Sequence, residues 1–567
     1  MRNRLRLVAT GLIVAGLVVS SCAANPGPPP AVEPEPAPTT TTTTSTTSST
    51  SAAPDQERSE IAVAVEALRN GLNPHVLADE SSVVLSIANL VLPSAFVSGQ
   101  LNVDILDEAV VEPESPAAMT VRYQINDAAQ WSDGTPLTGA DFNYLWQQMS
   151  TTPGVVDPAG YRAIQDVRVS GAEGKTVHVD FSEPVAYWQE LFRHLLPSHL
   201  LRLDTNSFHR GMRDGIPASA GRYMVEEVDR GRKVITLHRN DRFWGTDPAS
   251  VDQLTLVAVR STTHSADQLR SGQIQFVDSV PAETSADTYR LIPQTQQRMI
   301  DTPRTLGISL STTSPVLADQ QVRAELRSLI DVPLLARIAA GRSSDLQVAD
   351  HEAVSEAEPI LVRAAVEENR PLRLVADPAD SAASAAARSL VDMLNQRGVR
   401  AEVVATDLRD ATTNRLPDGD VDGVIMWDHE DLTANDAASE LLCPSGLYRA
   451  GNLSGYCTPE TDQFSRDVLA GRIDPATAQE YVDAVNRREA IWVPLLHETR
   501  LLVLGPGVVG PDPDLTQWEA GLSTAETWRL PNTLGGITSP GEPSGLPPDT
   551  LTEDDTEHDT EHDTEDN

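Results

Sequence analysis

Between residue 59 and about residue 530 the chain runs for about 470 residues without a low-complexity break. Single hydrophobic cores stop growing near ~250–300 residues, so this body must divide into at least two lobes. The flanks differ in kind. From Ala23 to about Arg58 the chain is Pro, Ala, Thr and Ser, with an unbroken Thr/Ser run from Thr39 to Ser51. Such a stretch buries too little apolar surface to offset the entropy of ordering, and it reads as a disordered stalk. From Pro531 onward Gly, Pro and Ser dominate, and Thr552 to Asn567 carries nine acidic residues with His558 and His562. Those histidines could hold a metal weakly, or the segment is simply a solvated acidic tail.

The first residues are basic (Met1-Arg-Asn-Arg-Leu-Arg), an apolar run follows from Leu7 to Val19, and Ser20-Ser21-Cys22 closes the segment. A basic head, a short apolar stretch and small residues before a cut site are a secretory signal. The run is shorter than the ~20 residues a membrane-spanning helix needs. Val19-Ser20-Ser21-Cys22 resembles a bacterial lipobox, in which the cysteine is acylated and becomes the new N-terminus; an ordinary signal peptide with an incidental cysteine is the other reading. A lipid on Cys22 would tether the chain to the outer face of the cell membrane. Of three cysteines, Cys443 and Cys457 then remain as an even pair. An oxidising compartment favours one disulfide between them, the alternative being two separate buried thiols.

The formal net charge is −39, and the tail accounts for only part of it. An acidic body argues against a nucleic-acid partner, whose phosphates require basic patches. In the body, short β-branched runs alternate with amphipathic stretches. Val121–Ile125, Val177–Phe181 and Val234–His238 alternate as half-buried strands do. Asp141 to Met149 and Asp319 to Ile330 have helical spacing, each with an aspartate able to cap its first turn. Leu372–Ala376, a helix from Ser381 to Gln396 and Ala401–Val404 have the order of a parallel βαβ unit, so the class is mixed α/β.

Trp131-Ser-Asp-Gly-Thr-Pro-Leu-Thr138 is a turn on physical grounds, with Asp133-Gly134 at the bend and Thr138 at a helix start. It also resembles the signature of the family 5 extracytoplasmic solute-binding proteins, the peptide and nickel receptors of ABC importers. Asn73-Pro74, Leu196-Pro197, Ala220-Gly-Arg-Tyr223, Leu237 to Trp244, Leu269-Arg-Ser-Gly272, Ala318 to Ala324 with Leu329-Ile-Asp331, Gly451 to Tyr456 and Trp492-Val-Pro-Leu495 resemble further family segments in the same order. The resemblance implies the large type II periplasmic-binding-protein fold: two hinged lobes with a subdomain on the first and the ligand between them. The expected layout is a signal peptide and lipobox over 1–22, a stalk over 23–58, and a first lobe over 59–302 with its subdomain at about 86–210. A second lobe over 303–485, a return to the first lobe over 486–530 and a tail over 531–567 complete it.

Within Val424-Ile-Met-Trp-Asp-His-Glu-Asp431, an apolar strand ends in Trp427 and an acidic cluster. This resembles the family segment in which an aspartate binds a peptide's amino group. The resemblance makes Asp428, Asp431 and Asp436 candidate ligand residues, with Trp427 as an apolar or sugar-stacking wall. The alternative is a surface loop of solvated acids. The family's Gly-Asp-Pro-Asp pattern is absent, and Ile87 to Pro93 departs from its Tyr-Glu-Gly-Leu segment. Signal, stalk and body together resemble the LpqW-type lipoproteins of mycolic-acid-containing actinobacteria, which are associated with phosphatidylinositol mannoside and lipoarabinomannan synthesis. The expected partners are a peptide-like or glycolipid ligand and an ABC permease or membrane glycosyltransferase.

No phosphate loop, Gly-x-Ser-x-Gly elbow or His-Glu-x-x-His motif is present, and His497-Glu498 lacks the second histidine a zinc hydrolase needs. Neither an enzyme, a cofactor nor a metal site is expected.

Overall fold

The computed structural model describes residues 58–202, 207–430, 433–444 and 451–531. Cys22, Asp431, the stalk and the tail histidines lie outside these residues. The chain opens with β1 (Glu60–Val65) and a small ribbon of β2 (Phe96–Val97) and β3 (Gln100–Leu101). An antiparallel sheet follows, built from β4 (Leu106–Val111), β5 (Met119–Ile125), β6 (Ile164–Ser170) and β7 (Thr176–Phe181) in the order β4-β5-β7-β6. β8 (Tyr223–Asp229), β9 (Val234–Arg239), β10 (Gln253–Ala258) and β11 (Phe276–Ser279) return to the sheet that β1 began. Then come β12 (Gln296–Leu310), β13 (Gln347–Val348), β14 (Leu372–Ala376), β15 (Ala401–Ala405), β16 (Gly423–His429) and β17 (Trp492–Leu504).

The main sheet has eleven strands in the order β15-β14-β16-β12-β17-β11-β1-β10-β9-β8, with β13 also paired to β17. β12 and β17 join its two halves. One end of β17 pairs with β11, and the end of β12 from Arg304 to Leu310 pairs with β16. Their mutual register shifts between Asp301 and Thr305 and again at Leu306/Gly307. The ladder therefore bends where the halves meet.

Local chemistry explains the elements. Ala, Leu and Val fill the buried stripe of helix Ser381–Gln396, whose first turn is capped by Asp380. That helix links β14 to parallel β15, as the βαβ pattern requires. Trp131 is fully buried and its indole N–H donates to Asp141 Oδ2 at 3.3 Å. Thr138 and Asp141 form a capping box at the start of helix Gly139–Thr151. The signature turn is thus a structural joint that locks β5 to its helix.

One apolar core joins β1, helix Ser82–Val91 and the four-stranded sheet; a second lies under β12, β14 and β16. The segment after β16, expected wholly in the second lobe, also packs against the first. Ala437, Phe464 and Val482 share an apolar cluster with Tyr161 and Leu191. The architecture is the two-lobed, mixed α/β fold with a curled central sheet.

Candidate functional site

β16 lies between β14 and β12 in the second half of the sheet, and alternation along it sends successive side chains to opposite faces. Ile425 and Trp427 enter the second core. Trp427 packs under the Arg304 guanidinium, 5.7 Å from its ring centre. Met426 and Asp428 take the other face and line a cavity of about 40 Å³ between the halves. The aromatic residue on that cavity is Trp492, at the start of β17, so the wall expected at Trp427 belongs to Trp492.

Two carboxyl groups face this cavity. Asp428 accepts the His429 backbone N–H at 3.2 Å. Burial, reinforced by the negative charge of Glu80, Glu430 and Asp157, pushes its carboxyl up to about 8, with His429 opposing. Glu440 ends helix Ala434–Glu440 and accepts from Gln479 Nε2 and Asn486 Nδ2, each at 3.4 Å. Burial and the nearby Asp428 raise its pKa as well. Asp436 sits in the first turn of the same helix, where its backbone N–H donates to Thr433 Oγ1, and it does not line the cavity.

The segment from Gly451 to Ser454 completes the wall. It is held by the Cys443–Cys457 disulfide, with α-carbons 5.1 Å apart. Asn452 donates to the carbonyls of Leu442 and Tyr456 and accepts from Ser454 Oγ, so its amide is fully engaged in holding this segment.

The rims of the cavity are tied together. On one side, backbone N–H groups of Ala434 and Asn435 donate to Glu190, Gly160 N–H donates to Asn435 Oδ1 at 2.7 Å and Ala159 N–H to Ser439 Oγ at 3.0 Å. At the hinge, buried Arg304 meets Glu498 at 3.3 Å and Glu80 at 3.8 Å. Ser82 and Thr302 donate to Glu498. Burial opposes ionisation of Glu498, yet Arg304 and Arg500 hold its pKa down to about 2. The cavity between the rims has room for only a few waters, roughly three.

Thr305, His497 and Glu430 form the nearest thing to a hydrolytic constellation. Thr305 Oγ1 lies 2.7 Å from both Glu430 Oε2 and His497 Nδ1. Its hydroxyl is fully buried and donates to Glu430. Among the described residues no group of three or more His, Cys, Asp or Glu could hold a metal ion. A groove of about 510 Å³ lined by Phe464, Ile473 and Tyr481 is larger, but its walls are mainly carbon. Convergent, perturbed titratable groups mark the interlobe cavity as the better candidate.

Sequence reasoning reached Asp428 and missed Glu440, Leu77 and Asn486. Counting alternation back from Asp428 would have separated Trp427 from the cavity face. No local signal marked Glu440, which arrives from a helix formed after the acidic cluster.

The model of the family described as bacterial extracellular solute-binding proteins, family 5, matches residues 108–446. The chain is 32% identical to the probable monoacyl phosphatidylinositol tetramannoside-binding protein LpqW of Mycobacterium tuberculosis, over 84% of this chain and 73% of that protein. It is 28% identical to the oligopeptide-binding protein OppA of Mycobacterium bovis, over 46% of this chain and 45% of the other. Among solved structures, the oligopeptide-binding protein AppA of Bacillus subtilis, in complex with a nonapeptide, superposes with a TM-score of 0.62 at 14% identity. That match covers 83% of this chain and 99% of AppA.

Proposed function

The chain belongs to the bacterial extracellular solute-binding proteins of family 5, and from that premise we propose that it is a lipid-anchored extracytoplasmic receptor that closes two lobes on a solute and acts through a membrane partner. The observation that carries this reading is the cavity between the lobes, onto which Asp428 and Glu440 both face. Two carboxyls without a cationic partner among the cavity-lining residues suit a ligand that brings hydrogen-bond donors. A peptide's ammonium group would convert one buried acid into a charge-assisted pair. In this reading the partner is an ABC permease, and Cys22 carries the lipid that keeps the receptor beside it.

A second reading is favoured by the extent of the likeness to LpqW, which covers 84% of this chain against 46% for OppA. Here the solute is the sugar head group of a phosphatidylinositol mannoside. Asp428, Glu440 and Asn486 would bond its hydroxyls, Trp492 would face its C–H surface, and the protein would regulate a membrane glycosyltransferase in lipoarabinomannan synthesis rather than feed a permease. Neither reading requires catalysis.

The test is native mass spectrometry and thermal shift on the full chain with oligopeptides and with phosphatidylinositol mannosides. A ligand that binds only the folded state raises the melting temperature according to its occupancy. Stabilisation by peptides supports the transport receptor, and stabilisation by mannosides supports the regulator. No binding of either class would remove both. For the anchor, Cys22→Ala should move the protein from the membrane fraction to the soluble fraction; retention in the membrane would refute lipidation at that residue.

A further inference from the structure

The segment from Arg69 to Glu80 leaves the first half of the molecule and reaches into the second. Its root is fixed. Leu72 N–H donates to the Met212 carbonyl at 2.9 Å and Asn73 Nδ2 to the Phe208 carbonyl at 2.6 Å. Its tip is apolar and inserted: Leu77 and Ala78 are buried in a cluster with Val375, Leu408, Val424 and Met426 of the second half. Leu77 is at the same time part of the cavity wall.

Besides the Arg304–Glu80 contact at 3.8 Å, three polar ties flank this tip. Arg69 Nη1 meets Asp380 Oδ2 at 2.6 Å, Asn70 Nδ2 donates to Asp377 Oδ2 at 3.2 Å and Arg409 Nη2 meets Asp79 Oδ1 at 3.5 Å. The acceptors on the second half are fixed by their own structural work. Asp380 caps helix Ser381–Gln396 through the N–H groups of Ala382 and Ala383, and Asp377 accepts from Ala379 and Leu408. A side chain held in place by a cap meets its partner without first being ordered, which lowers the entropic cost of each tie.

We propose that this segment is an intramolecular latch: its Leu77 tip fills part of the space a solute would take, and its polar flanks hold the two halves closed when no solute is bound. Opening must expose the apolar cluster around Val424 and Met426 together with Leu77, and this burial favours the closed arrangement. A solute therefore competes with the protein's own chain. The apparent affinity is reduced by the fraction of molecules that are unlatched, whatever the chemical class of the solute. The proposal goes beyond the binding reading and stands or falls without any ligand.

The test is a distance measurement on the full, ligand-free chain by pulsed electron paramagnetic resonance. Spin labels replace Glu227 and Arg388, both exposed and on opposite halves. The wild-type background should give one dominant short distance. Arg69→Ala combined with Arg409→Ala removes two flanking cations that are only about 30% exposed in one case and 28% in the other, and should raise a longer-distance population several-fold. Leu77→Ser added to that pair should make the longer distance dominant. Melting curves and an intact Cys443–Cys457 bond verify that the variants fold. A long distance already dominant in the wild-type background, or identical distributions in the background and the folded triple variant, would overturn the latch. Charge removal with no effect beside a full opening by Leu77→Ser would overturn the polar flanks alone.

Discussion

Trp492 lies directly against the bare α-carbon of Gly307: a β-carbon built there would stand 2.3 Å from Cζ2 of the indole. This contact seats the aromatic wall of the cavity on β12. Gly307→Ala must push the ring away or bend the strand, and overpacking of this kind costs about 1–3 kcal/mol. We expect a lower midpoint in urea unfolding and a shifted tryptophan emission. An alanine variant with wild-type stability and an unchanged spectrum would contradict the contact.

The pH dependence of stability should report Asp428. An ordinary aspartate titrates near ~4 in the unfolded chain, whereas the folded value is about 8. Between these values the folded protein holds more protons than the unfolded one, so this group's contribution to stability falls as pH rises and levels off above about 8. Asp428→Asn removes that contribution. The melting temperature of the variant minus that of the wild type should therefore grow more positive from pH 5 to pH 8. A flat difference would show that Asp428 ionises freely in the folded state.

Arg304 is buried between Glu80 and Glu498. Removing one partner of such a pair leaves uncompensated buried charge, with a cost of about 3–5 kcal/mol. Arg304→Met should lower stability by that order at neutral pH. Part of the loss should be recovered by adding Glu498→Gln, and calorimetry on the single and double variants checks both. Equal stability of Arg304→Met and wild type would mean that water reaches the hinge.

The disulfide between Cys443 and Cys457, fourteen residues apart, constrains the segment that forms the cavity wall. Loops of this size are worth about 3 kcal/mol in the chain-entropy description. Replacing both cysteines by serine should lower the melting temperature and make it insensitive to added reductant. A wild-type melting temperature that does not fall on reduction would show that the bond contributes nothing to stability.

Elements governed by local rules were legible in the sequence. Helix Ser381–Gln396 and its parallel flanking strands follow from spacing and element order. The turn from Trp131 to Thr138 was readable too, because Asp-Gly and a capping threonine act within a few residues. The site was only partly legible. Asp428 stands out beside an apolar strand, but Glu440, Leu77 and Trp492 reach the cavity from a helix, a loop and a strand separated by long stretches of chain. Their meeting is a property of the closed tertiary arrangement, which no local pattern encodes. Trp427 shows the opposite error: the residue type suited a wall, and the pleat turned it inward.

The order of the main sheet also bears on how the chain reaches its native state. β1 is made first, yet its neighbour β11 pairs on the other side with β17, which ends at Leu504. β12 likewise leans on β17 along most of its length. Neither half of the sheet is complete until the last strand has left the ribosome. A chain released before Trp492 lacks the common seam of both halves, and its main sheet should be cut by protease far faster than that of the full chain.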